Sequence, residues 1–247
     1  MDRLIWTAVS GMNASMARER MIANNMANSQ TPGFRAEVMA ATPVTLNGPS
    51  LQVRALTAVS VYGAQMDPGA LVETGRPLDL AVAGEALLTV QAADGTEAYT
   101  RRGDLSVSPS GLLTNGEGYA VIGENGPISV PPGSAVAIGQ DGAVLVRNLA
   151  DPAAPPQQVE KLKLATWRGS RIEKGLDGLF RVYSGGALPQ DAGAQVVIGS
   201  LEQSNVKPAQ VLVEMVEAQR LYDMRTKLIA TAKELDEGGA SLMRLSA

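Results

Sequence analysis

From Leu4 to Met26 apolar residues return at alternating steps of four and three. Ile5, Val9, Met12, Met16, Ala23 and Met26 make the series, and Glu19 is its one polar break. That spacing predicts an amphipathic helix with a heptad-like seam made to lie against another helix. The helix is expected to run into Ala23-Asn24-Asn25-Met26-Ala27-Asn28 and stop at Ser29-Gln30-Thr31-Pro32-Gly33-Phe34-Arg35. Pro32 biases Thr31 away from helical backbone, and Pro-Gly suits a tight turn with Gly33 at positive φ.

The same kind of seam returns only near the other end. Val211, Met215, Ala218, Tyr222, Ile229 and Ala232 follow it, with Arg225 as the exception, while Leu221, Leu228, Leu235 and Leu242 add a flanking row. Two adjacent apolar rows predict a helix covered on more than one side, as in a multi-helix assembly. Pro208 suits the first helical position. Lys207 is a poor cap, so Ser204 or Asn205 is expected to start the turn. Gly238-Gly239 is expected to break the helix before a short tail.

Between the seams the pattern changes twice. Over 36–77 periodicity is weak, which reads as an extended connector with patchy strands such as Leu51–Leu56. Over 78–199 short apolar runs alternate with glycine turns. Strands are expected at 78–83, 87–91, 97–101, 105–108, 112–114, 120–123, 128–130, 136–138, 143–146, 161–167, 179–182 and 196–198. Asp94-Gly95, Asn115-Gly116, Asn125-Gly126 and Asp141-Gly142 are hairpin-type turn signals. The tract Asp151–Pro156 reads as an exposed loop. The expected fold class is α+β: long N- and C-terminal helices form a coiled-coil-like helical domain, around a central, mostly antiparallel β domain built as a sandwich or irregular barrel. The expected segments are 1–35 (axial helix and turn), 36–77 (connector), 78–199 (β-rich outer domain) and 200–247 (axial helix and tail).

Composition narrows the chemistry. The formal net charge is −4, which argues against a nucleic-acid-binding face, while 4% aromatic residues with 26 glycines and 14 prolines predict many turns and short strands. Cysteine and histidine are both absent, which excludes disulfides, thiol nucleophiles, imidazole metal sites and a Ser-His-Asp triad. No catalytic residue, cofactor or metal site is expected. No apolar run is long enough to span a membrane, and the opening Met1-Asp2-Arg3-Leu4-Ile5-Trp6 lacks the plan of a cleaved signal peptide. Eight of the ten methionines sit in the terminal segments, where pliable side chains suit surfaces that repack against neighbours.

Three asparagines in five residues are costly in a helix unless their amides bond something. Asn24, Asn25 and Asn28 therefore either cap the helix end and its turn, or Asn24 and Asn28, one turn apart on one face, bond across a helix interface. Arg101-Arg102 reads either as an exposed strand end or as a contact to an acidic neighbour. A pair of carboxylates drawn from Asp79, Glu85, Asp104, Glu117 and Asp141 would be needed for glycan hydrolysis, yet turn and surface roles account for them and no spacing marks out a pair.

These motifs together resemble the axial proteins of the bacterial flagellum, the rod and hook proteins. The matching stretches are Ala23–Asn28 with Thr31–Arg35, then Gly75-Arg76-Pro77-Leu78-Asp79-Leu80-Ala81-Val82, Tyr99–Leu105 and Gly111–Asn115, and finally Ser204–Pro208 with Glu214–Tyr222. They occur in the family's order across nearly the whole chain. Within the family the length and opening look most like a proximal-rod member, with a distal-rod or hook-type member as the alternative. Two departures stand out: Ala86-Leu87-Leu88 follows Gly84-Glu85 where aromatics are common, and Lys207 precedes Pro208 where a better cap is usual. The resemblance implies a structural subunit, exported unfolded by the flagellar type III apparatus without cleavage. It would polymerise with copies of itself and neighbouring rod proteins into the shaft that carries torque across the periplasm. The assembly interface is then expected on Ile5, Val9, Met12, Met16, Asn24, Asn25, Met26, Asn28, Val211, Met215, Ala218, Tyr222, Leu228 and Ile229, with Thr31, Pro32, Gly33 and Phe34 as the turn motif.

Overall fold

The computed structural model describes residues 2–45, 55–149 and 155–245. It opens with helix α1 (Asp2–Ala27), followed by strands β1 (Glu37–Thr45), β2 (Ala55–Ala64), β3 (Leu71–Glu73), β4 (Leu80–Val82), β5 (Ala86–Gln91), β6 (Glu97–Thr100), β7 (Leu105–Val107), β8 (Leu113–Asn115) and β9 (Ala120–Val121). Then come β10 (Ser134–Ile138), β11 (Ala143–Asn148), β12 (Gln157–Lys161), β13 (Leu164–Thr166), β14 (Ile172–Lys174), β15 (Phe180–Val182), β16 (Val196–Ile198) and β17 (Ser200–Glu202), and the chain closes with α2 (Pro208–Leu245). The architecture is α+β, with a β-rich centre between two helices. Residues 51–54 of the expected Leu51–Leu56 strand and 151–154 of the proline-rich tract lie outside the described residues.

The chain divides into two compact units. A helical unit comprises Met1–Ala27, Glu37–Tyr62 and Lys207–Ala247, and a β unit comprises Asn28–Ala36 and Gly63–Val206. The turn after α1 therefore belongs to the β unit, not to the helix it follows.

The β unit is organised on an eight-stranded sheet in the order β14-β15-β6-β5-β9-β8-β7, with β13 also pairing β5. Three-stranded β10-β11-β12 and the pairs β16-β4 and β17-β3 are separate sheets of the same unit. Every strand pair with a defined register is antiparallel. Period-two alternation explains how β5 serves two cores. Ala86, Leu88 and Val90 join Leu80, Leu113, Val121, Val144 and Leu179 in the larger cluster. Leu87, on the opposite face, packs with Tyr99, Ala165, Phe180 and Leu188. The turn signals fall where the pattern places them: Asp94-Gly95 joins β5 to β6, Asn115-Gly116 joins β8 to β9, and Asp141-Gly142 joins β10 to β11. Asn125-Gly126 closes the turn bridged by Ile122 and Pro127. Glycine is required there by backbone geometry, with Gly95, Gly126 and Gly142 all at positive φ.

Two expectations about α2 need correction. Its helix runs through Gly238-Gly239 to Leu245 and does not break there. A helical glycine costs only about 1 kcal/mol against alanine, and the strong helix formers on either side carry the turn. Pro208 does occupy the first helical position, but the cap is Lys207 itself. Its carbonyl accepts the Val211 N–H at 3.1 Å, while Ser204 Oγ accepts the Val206 N–H at 3.2 Å one turn earlier.

Candidate assembly site

In the helical unit α1 packs on α2. Along α2 the covered residues are Val211 and Ala218, with Met215, Tyr222, Arg225, Ile229 and Ala232 half-buried on the same line. The three-four spacing thus predicts the covered face, and it includes the arginine that breaks the apolar series. Arg225 is there because its guanidinium donates to the Gly11 carbonyl and to Ser15 Oγ of α1. Small residues at 11 and 15 let that group approach the backbone.

On α1 the deepest line is one residue away from the apolar seam. Ser15, Ile22 and Asn25 are buried, whereas Val9 and Ala23 are exposed and Met12, Met16 and Met26 are half-buried. The side chain of Ile5 lies outside the described residues. Asn25 makes a two-way bond to the start of β1: its Oδ1 accepts the Glu37 N–H at 2.8 Å and its Nδ2 donates to the Glu37 carbonyl at 3.1 Å. Asn24 Nδ2 donates to Glu37 Oε1 at 2.6 Å. Here the asparagines tie α1 to the strand that follows.

α2 keeps a second apolar face. Val213, Val216, Met224, Leu228 and Leu235 follow one another at helical spacing and stay exposed, Leu228 at 59% and Leu235 at 63%. α1 does not cover them.

The β unit gathers its entry and exit segments at one place. Thr31 to Phe34 forms a turn closed by the Phe34 N–H on the Thr31 carbonyl at 3.2 Å, with Gly33 at φ +69°. Asn28 Oδ1 accepts the Thr31 hydroxyl at 3.1 Å. Gly33 lies against the backbone at Arg101, where an added Cβ would sit 2.4 Å from the Arg101 carbonyl carbon. Pro32 is half-buried beside it. Lys174 Nζ stands 3.3 Å from the centre of the Phe34 ring and donates to the Arg35 carbonyl at 2.9 Å. The cation thereby closes the turn over the aromatic face.

Beneath the turn lies a buried charge cluster. Glu202, at the end of β17, meets Arg101 through Nε at 2.9 Å and Nη2 at 2.8 Å. Arg35 Nη1 lies 2.6 Å from the other carboxylate oxygen, an ion contact without hydrogen-bond alignment, and Arg35 Nε has no partner. Gly69 N–H also donates to that oxygen at 2.8 Å. Arg101 Nη1 is held by the carbonyls of Gly84 and Ala86. Burial lowers the Arg101 pKa, and Glu202 opposes the shift. Removing the Glu202 carboxylate would leave two buried guanidiniums uncompensated. Asn205 laces the same place: its Oδ1 accepts the Ala36 N–H at 2.7 Å and its Nδ2 donates to the carbonyls of Gln65 and Asp67.

The sequence reading missed Glu202, Arg35 and Asn205 as a group, and Arg101 needs correction. It is neither an exposed strand end nor free for a neighbour, because Glu202 of the same chain uses it. The signal was present in the motifs: Arg35 ends the Thr-Pro-Gly-Phe stretch, and Glu202 and Asn205 bracket the start of Ser-Asn-Val-Lys-Pro. Nothing in sequence spacing pairs residues this far apart.

The carboxylates weighed for glycan hydrolysis all have structural employment. Asp79 Oδ2 takes Thr74 and Arg76, Glu85 pairs with Arg168, Asp104 and Glu117 share Arg102, and Asp141 bonds the Ala143 N–H. A cleft of about 340 Å³ is lined by Arg35, Met66, Asp67, Glu85, Arg101 and Trp167. It presents no nucleophile–base pair: Asp67 accepts from Gln65, and both arginines belong to the Glu202 cluster.

Two terminal helices and a β unit that binds its own entry and exit define an axial-protein plan, and three family models match in that order. The flagella basal body rod protein model covers residues 5–35, the flagellar hook protein FlgE/F/G D1 domain covers 81–146, and the flagellar basal body rod FlgEFG protein C-terminal model covers 198–242. The chain belongs to the flagellar basal-body rod protein family, which makes it a structural component of the basal body and not an enzyme. It is 39% identical to the flagellar basal-body rod protein FlgF of Salmonella typhimurium strain LT2 over 100% of both chains. FlgF of Escherichia coli K12 is likewise 39% identical over 95% of each chain, and the rod protein FlgG of Bacillus subtilis strain 168 is 30% identical over 99% of this chain and 100% of its own.

Proposed function

We propose that the chain is a FlgF-type subunit of the proximal rod. It assembles with copies of itself and with adjoining rod proteins through α1 and α2, which form a coiled-coil-like layer, and the finished rod carries torque across the periplasm. The subunit arrives through the flagellar type III export apparatus without cleavage.

One observation carries the assembly step: the second apolar face of α2, from Val213 to Leu235, that α1 leaves uncovered. Covering exposed apolar area stabilises association by roughly 25 cal/mol per Å². Contacts between like subunits that do not close into a ring generate an open helical filament. The 39% identity to FlgF of Salmonella typhimurium and Escherichia coli, against 30% to FlgG of Bacillus subtilis, supports the proximal position.

Hydrogen exchange on the purified monomer and on isolated basal bodies tests the reading. The amides of α1 and α2 are expected to gain protection on assembly, while β5, β6 and β13 are protected in both. Equal protection of the helices in both states would mean that α1 and α2 are already a finished pair, and assembly through them would be refuted.

A further inference from the structure

The turn after α1 is bound to the β unit more tightly than a linker needs. Residues 31–36 are attached through four kinds of contact. Gly33 N–H donates to the Glu202 carbonyl at 2.7 Å, and Ala36 N–H donates to Asn205 Oδ1 at 2.7 Å. The Ala36 carbonyl accepts the Gln65 N–H at 2.8 Å. Arg35 puts its buried guanidinium on the Glu202 carboxylate, and Lys174 covers Phe34. Glu202 and Asn205 also lie on the last stretch of the β unit before α2. The segment after α1 and the segment before α2 are therefore held by the same side chains.

We infer that Glu202, Arg35 and Asn205 form a latch that closes in the monomer, so that residues 28–36 are part of the folded β unit before any rod contact forms. The assembling termini then begin at residue 27 on one side and 207 on the other. Glu202 and Arg35 are positioning residues: they act by holding the two segments. This rests on the rod reading only for its consequence in assembly; the latch itself is a property of the single chain.

The charge balance decides which variant to use. Glu202 faces two buried guanidiniums, so Glu202→Gln would strand both and endanger folding. Arg35→Gln leaves the Glu202–Arg101 pair and the Gly69 bond in place, and removes only the hold on the strap formed by residues 31–36. In the full-length monomer, the amides of Gly33, Ala36 and Gln65 are expected to exchange as slowly as those of β5 and β6. Arg35→Gln should speed those three by about tenfold or more with β5 and β6 unchanged, and Arg35→Lys, which keeps the charge, should restore most of the protection. Strap amides that exchange faster than the β core in the wild type, or that ignore Arg35→Gln, would overturn the latch.

The second arm scores incorporation into basal bodies in cells. Arg35→Gln is expected to reduce incorporation at unchanged protein level. Full incorporation with a released strap would overturn the positioning role. Absence of the wild-type chain from basal bodies would instead sink the rod reading, leaving the monomer exchange result to stand or fall by itself.

Discussion

Tyr99 shows how a single buried group carries a measurable consequence. It sits in the smaller core cluster, its hydroxyl accepts the Leu188 N–H at 2.7 Å, and it donates to Glu97 Oε1 at 3.1 Å. Burial raises its pKa from 10.0 to about 12; the Leu188 bond opposes this and Glu97 adds to it. Between these values the unfolded chain has lost the proton and the folded one keeps it, so folding stability falls as pH rises through the window. Below pH 10 Tyr99 contributes no pH dependence. Denaturant midpoints taken from pH 9 to 12 should decline in wild type and decline less in Tyr99→Phe, with a difference of about 2 kcal/mol at the top of the range. Parallel declines would place the ionisation elsewhere. At the same level, the conformation of Gly33 was legible because Pro-Gly states a local backbone rule. The Arg35–Glu202–Arg101 cluster was not, because it is a product of tertiary packing that joins β6 and β17 to a turn. Charged residues in a sequence read as surface until burial shows otherwise.

The β strands divide the same way between local and tertiary causes. β5, β6, β11 and β16 were readable from apolar runs bounded by glycine turns. β3 is exposed at all three positions, β17 is buried at all three, and β12 is mostly polar, so none alternates: β3 fell in the stretch read only as patchy strands, and no strand was expected over 157–160 or 200–202. The expected strand at 128–130 is divided between partners: Ile128 N–H bonds Val121 while its carbonyl accepts from Leu113. No single ladder forms there. In the helices the three-four seam predicted the covered face of α2, but on α1 it was displaced by one residue toward Ser15. At Ser15 and Asn25 the displaced line is made of polar residues in use: Arg225 of α2 bonds the Gly11 carbonyl and Ser15 Oγ, and Asn25 bonds Glu37. Replacing Arg225 with methionine keeps the stem packing and removes the bonds to the Gly11 carbonyl and Ser15 Oγ. The expected cost to the helix pair is about 1–3 kcal/mol. It should be read as faster exchange of α1 amides over residues 8–22, with β5 and β6 unmoved. Unchanged exchange in α1 would assign the pairing to apolar contact alone.

Across the molecule, the two faces of α2 separate folding from assembly. Ala218 and Val211 are covered within the chain, so a charge there would destroy the helix pair and any downstream defect would be uninformative. Leu228 lies on the other face at 59% exposure, flanked along the stripe by Met224 and Leu235. Leucine and glutamate have similar helix propensities, so Leu228→Glu should leave the monomer's helix content alone. Surface substitutions of this kind usually change stability by less than about 0.5 kcal/mol. In a rod the same glutamate would have to be buried against a neighbouring helix, and desolvating an unpaired carboxylate costs several kcal/mol. That penalty recurs at each repeat of the contact. Leu228→Glu is therefore expected to match the wild-type monomer in melting temperature and circular dichroism, yet to fail to enter basal bodies and to abolish swimming. Normal incorporation of a well-folded Leu228→Glu chain would show that this stripe stays wet in the rod and that the uncovered face of α2 has another purpose. A monomer that unfolds would place Leu228 in the chain's own core, against its exposed place on α2.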